Sequence, residues 1–147
     1  MRIVLRVLAA IALVYAGYIH LHLAPGYDGG GGLSVGNEFR AQFVATLIAA
    51  LILLIPRRWA WLPALLVAAS TLAAVLATVY LKVGAIGPLP ALPHEPWYPD
   101  KAYSAVAEGL VVLLALAGLL IGPGRRRRGR QRRPGTSENM PTQPTTA

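Results

Sequence analysis

The sequence has no cysteine and little charge, and each shortage excludes something. Without cysteine there are no disulfides, thiol nucleophiles, thiolate metal sites or iron–sulfur clusters. Charged residues make up 14% of the 147, against 55% hydrophobic. That is too little polar surface to coat a water-soluble domain of this size. Catalytic signatures are missing too: there is no Gly-Lys-Ser phosphate loop, no nucleophile elbow and no His-Glu-x-x-His. The glycine run from Gly29 to Gly32 follows no strand and precedes no lysine, so it is not a phosphate cradle. No cofactor is expected, and no enzyme constellation emerges.

What the chain does have is four long apolar stretches, at about residues 3–23, 39–55, 59–81 and 102–121. Roughly 20 helical residues span a hydrocarbon core of about 30 Å. Lipid offers no partner to backbone polar groups, so such stretches should be helical. Short connections favour antiparallel neighbours. The expected fold is an all-α membrane protein, an up-down bundle of four transmembrane helices over residues 1–121. Residues 122–147 should form a basic and then disordered cytoplasmic tail.

The net charge of +8 is local: seven of the fourteen basic residues are Arg125, Arg126, Arg127, Arg128, Arg130, Arg132 and Arg133. With four spans, this cluster shares one side with Arg2, Arg6, Arg57 and Arg58. Only Arg40, Lys82 and Lys101 fall on the other. Positive residues favour the cytoplasm, which puts both termini there and makes this a multi-pass protein of the bacterial plasma membrane. The cluster suits anionic lipid headgroups rather than nucleic acid, having no interleaved aromatics. Val14-Tyr15-Ala16 would serve as a signal-peptide cleavage site, but the apolar run continues past it.

Small residues mark faces where membrane helices approach. The expected stripes are Ala9, Ala12, Ala16 and His20 on the first helix, Ala41, Ala45 and Ala49 on the second, and Ala60, Ala64, Ala68 and Thr71 on the third. On the fourth they are Ser104, Glu108, Ala115 and Gly118. Glu108 is the one charge inside the last stretch, and an intramembrane carboxyl needs a partner, a proton or water. It lies about 9 Å and His20 about 5 Å inside the same boundary, at 1.5 Å per residue. The two can therefore meet if the first and fourth helices are neighbours. Tyr15, Tyr18 and His22 share another face of the first helix, and Gln42 and Ser104 are further candidate partners. The expected ligand or proton site is His20, Glu108, His22, Tyr15 and Tyr18. The plain alternatives are an interhelical hydrogen bond at Glu108 and interfacial histidines at a helix end. His94 and Glu95 could join His20 and Glu108 around a metal, but their spacing is no zinc signature. The proline-rich segment from Gly87 to Asp100 should lie as a lid on the outer mouth.

The stretch Ala16-Gly17-Tyr18-Ile19-His20-Leu21-His22-Leu23, followed by Tyr27 and three more apolar helices, resembles a group of small four-helix membrane proteins from high-GC bacteria. Over residues 1–121 the plan also resembles the DoxX-like four-helix membrane proteins. That resemblance implies a link to membrane redox systems, without thiol chemistry here. From the residues themselves, the leading expectation is an accessory or ligand-binding module acting with a membrane protein partner or a second copy. The alternatives are a small proton-coupled transporter or exporter subunit using Glu108, and a redox component binding quinone or metal.

Overall fold

In the computed structural model, residues 2–29 and 33–121 are described. These residues are all-helical, with α1 Arg2–Leu23, α2 Val35–Leu53, α3 Trp61–Tyr80 and α4 Pro99–Leu120. Each helix is long and apolar enough to cross a membrane. The arginine cluster and the tail expected after it lie outside the described residues.

Local chemistry sets the boundaries. α2 starts four residues before the apolar stretch because the Ser34 hydroxyl oxygen accepts the Asn37 N–H at 3.2 Å, an N-cap. It stops at Leu53, ahead of Pro56, whose ring disfavours helical geometry just before it. α4 starts at Pro99, where a fixed φ suits the first helical position and the missing N–H costs nothing.

α1 packs against α2 and α4, and α3 packs against α4 and α2. The inward stripe of α1 is Arg6, Ala9, Leu13, Ala16 and His20, alternating steps of three and four residues. α3 turns in Trp61, Ala64, Ala68 and Val75, and α4 turns in Ser104, Glu108, Val111 and Ala115. Three of the expected stripes thus face inward. The α2 stripe does so only at Ala49: Ala41 and Ala45 are exposed, and Thr46, Ala50 and Leu53 are buried in their place. Two contacts fix that rotation. Phe39 packs on the His20 ring, 5.0 Å between centroids, and Thr46 sits where a side chain on Gly17 would be. The outward faces are as apolar as the core, with Leu66, Val106 and Leu113 each about two-thirds exposed or more. Such a surface suits lipid rather than water.

A second close approach closes the other end of the bundle. Gly118 on α4 lies flat against the buried Trp61 indole, in the space a Cβ would need. Gly118→Ala should therefore cost about 2 kcal/mol by overpacking, read as a lower midpoint in detergent unfolding. Gly109→Ala, which meets open space, serves as the control and should cost nothing by that route.

Arg6 is 8% exposed and does more than mark a side of the membrane. Its guanidinium donates to the Leu53, Ile55 and Arg57 carbonyl oxygens at 2.6, 2.7 and 2.9 Å. It also lies 5.1 Å from the Trp61 ring centroid. The last carbonyls of a helix have no partner within it, and here α1 supplies one. At the opposite end, Arg40 pairs with Asp28 at 2.5 Å and ties the α1–α2 connection to α2. The Arg40 guanidinium holds the Asp28 carboxyl below its ordinary range, so the pair persists through neutral pH and is lost only in acid.

Candidate functional site

The bundle is not filled at the end that holds His20. A cavity of about 100 Å³ lies between all four helices, under the segment joining α3 to α4. By this measure one water needs about 10–15 Å³, so several would fit. Its walls come from the C-terminal ends of α1 and α3 and the N-terminal ends of α2 and α4.

The deepest polar feature is a pair. His20 Nε2 lies 2.9 Å from Glu108 Oε1, with the two residues 5% and 1% exposed. Both arrive through the stripes that bury their helices. His20 follows Ala16 by one turn on α1, and Glu108 follows Ser104 by one turn on α4. The pair leaves two atoms unmatched: His20 Nδ1 and Glu108 Oε2 are buried without a hydrogen-bond partner. Buried polar atoms are nearly always satisfied, so two unmatched ones in a single pair are unusual. Beyond the pair the bundle is packed by Leu13, Leu53, Val111 and Ala115, all apolar and at most 1% exposed. The cavity therefore ends at the pair.

A second polar group forms the rim. The Tyr27 hydroxyl donates to Glu95 Oε2 at 2.7 Å and lies 3.2 Å from the Tyr98 hydroxyl. Lys101, 5% exposed, reaches the same Glu95 oxygen at 3.3 Å, with its Nζ 4.9 Å from the Tyr98 ring centroid. Burial pushes the Tyr98 phenol above its ordinary range, so it stays protonated at neutral pH. The joining segment is held down at several points. Glu95 N–H donates to the Thr78 carbonyl, Leu92 N–H to the Val83 carbonyl, and Trp97 Nε1 to the Tyr80 hydroxyl. Leu92, Pro93 and Glu95 line the cavity, so this segment roofs it.

The structure brings His20 and Glu108 together and places Ser104 and Gln42 on the cavity wall. It does not bring Tyr15, Tyr18 or His22 there. Tyr15 and Tyr18 are about half exposed on the outer face of α1, and His22 is exposed and stacks on Tyr18. They stand on the helix face opposite His20, and α1 stays helical to Leu23, so the chain never turns them inward. The metal grouping does not form either. His94 is exposed with Nδ1 3.2 Å from the Leu81 carbonyl, and Glu95 is engaged by Tyr27 and Lys101. Among the described residues no three His, Cys, Asp or Glu gather as metal ligands.

Sequence reasoning missed Tyr27, Glu38 and Tyr98, and took Lys101 for a topology marker. Lys101 was within reach, because stepping back from Glu108 by four and then three residues gives Ser104 and Lys101 on one stripe. Tyr27, Glu95 and Tyr98 come from connecting segments, whose positions no periodicity encodes.

Compared with family models, curated proteins and solved structures, the chain has no match. The DoxX-like resemblance therefore adds nothing to the geometry.

Proposed function

We propose that this chain is a multi-pass membrane protein that binds a small ligand from the outer side, rather than an enzyme. Its four helices run up and down, with both termini in the cytoplasm of a bacterial cell. The antiparallel reading rests on contacts between opposite ends: Arg6 with Leu53, His20 with Phe39, and Trp61 with Gly118. The orientation rests on the sequence: Arg2, Arg6, Arg57 and Arg58 belong to the end away from the cavity, and seven further arginines follow α4 in the chain. The arginine cluster would meet anionic headgroups there, and a membrane protein partner or a second copy would pack on the apolar outer faces.

The observation that carries the binding reading is the cavity between the four helices, closed at its inner end by the His20 ring. Ligand sites combine mostly apolar walls with a few placed polar groups. Here Leu23, Val35 and Val75 supply the first, and His20, Glu38 and Lys101 the second. A transport reading has one feature in its favour, since His20 and Glu108 together can carry a proton. Against it, the half of the bundle beyond the pair is packed by an apolar core.

The absence of cysteine makes the native chain its own background for labelling. Thr78→Cys, on the cavity wall, should react with a membrane-impermeant maleimide added outside intact cells. Leu13→Cys, in the core, should not. Labelling of Thr78→Cys only after permeabilisation would overturn the orientation. Labelling of neither variant, in protein that is inserted and folded, would overturn the open cavity. Saturating proton-coupled uptake into vesicles, lost in Glu108→Gln, would favour the transport reading instead.

A further inference from the structure

The cavity carries more negative charge than its own cations answer. Glu38 and Glu95 line it, and Glu108 stands behind the His20 ring. The one lysine on the wall, Lys101, is already engaged by Glu95. Glu38 is half-buried on the first turn of α2 and forms no ion pair among the described residues. His20 lines the inner end of the cavity, and Glu108 is paired with it behind the ring. The rings of Phe39 and Tyr27 line the same space, and aromatic rings attract cations; the Tyr98 ring is already taken by Lys101. Leu23, Val35, Val75 and Leu92 supply apolar wall.

We propose that the ligand is a small organic ammonium. Its charge lies against Glu38 and beside the His20 ring, and its short apolar part lies against Leu23, Val35 and Val75. This rests on the binding reading above and names the ligand's chemical class. A carboxylate in a site screened from water favours a cation far more than an exposed one does. A carboxylate ligand would meet Glu38 with only Lys101 to receive it, and Lys101 would first have to leave Glu95. A neutral alcohol would gain the wall contacts but not the charge. A bare metal ion would forgo the apolar wall, and its ligand set does not gather among the described residues. The cavity volume limits the apolar part to a few carbon atoms.

The test is calorimetric titration of the full-length protein in nanodiscs with n-butylammonium chloride, 1-butanol, sodium butyrate and sodium chloride. The expected result is saturable binding of butylammonium alone, weakened about tenfold or more in Glu38→Gln, the scale of one ion contact in a partly buried site. Equal binding of 1-butanol, or unchanged butylammonium affinity in a folded Glu38→Gln, would overturn the ammonium and leave a site for neutral amphiphiles. Competition by sodium at similar concentration would reassign the site to a metal cation. No binding of any probe to folded wild-type protein would overturn both the ammonium and the binding reading. The alcohol and sodium comparisons use wild-type protein, so they decide the matter even if Glu38→Gln does not fold.

Discussion

Replacing His20 with leucine should destabilise the protein by about 3 kcal/mol, because it removes the one partner of a carboxyl group buried inside the bundle. Glu108 is 1% exposed, and its Oε2 already lacks a partner. Without the His20 ring its other oxygen loses one too. Leucine matches the histidine roughly in bulk, so the loss is electrostatic rather than a cavity. Glu108→Leu should cost less, about 1–2 kcal/mol, since an imidazole ring is cheaper to leave unpaired than a carboxyl group. The double variant should recover most of the loss, as buried pairs replaced on both sides often do. Unfolding midpoints in detergent for the two single variants and the double variant give the coupling directly. Strictly additive losses would mean that the two side chains do not meet.

Arg6→Met should be as damaging, about 3 kcal/mol, by a different route. The guanidinium satisfies the carbonyls of Leu53, Ile55 and Arg57 at the end of α2. Hydrogen bonds to a charged donor contribute about 1.5–3 kcal/mol each, and methionine removes all three, leaving the Leu53 carbonyl without a partner while the Ile55 and Arg57 carbonyls keep the Arg57 and Ala60 N–H groups. Methionine keeps much of the contact with Trp61, so packing alone would predict a small loss. Arg6→Lys should recover only part, because an ammonium cannot reproduce the planar fork that reaches several acceptors. The check is the unfolding midpoint in detergent, read with hydrogen exchange at the backbone amides of α2. Faster exchange confined to the last turn of α2 in Arg6→Met would identify the lost cap. An Arg6→Met midpoint equal to wild type would mean that these carbonyls find water.

How far the sequence reached depended on the kind of signal. The four helices were legible because an apolar run about 20 residues long has few alternatives to a helix in lipid. The inward stripes of α1, α3 and α4 were legible from small residues at helical spacing. On α2 that signal failed, because the fit of Phe39 to His20 and of Thr46 to Gly17 outweighed two alanines. Arg6 looked like any basic residue near a helix start. Its role depends on where the end of α2 falls, which no single-chain pattern encodes. His20 and Glu108 stood out because each is a polar interruption of an otherwise apolar stripe. Tyr15, Tyr18 and His22 stood out by their chemistry, yet lie on the outer face of α1. The rim was hidden because Tyr27, Glu95 and Tyr98 come from connections whose course is set by tertiary contacts.

The reading of this protein depends on an imidazole and a carboxyl meeting inside the bundle, with the imidazole at the foot of the cavity. Solid-state nuclear magnetic resonance of selectively labelled protein in bilayers measures that directly, through dipolar contact between His20 Nε2 and the Glu108 carboxyl carbon. A strong contact in wild type, with no contact from Nε2 to lipid acyl chains, is the predicted result. Acyl-chain contacts to the His20 ring without any signal from Glu108 would contradict it.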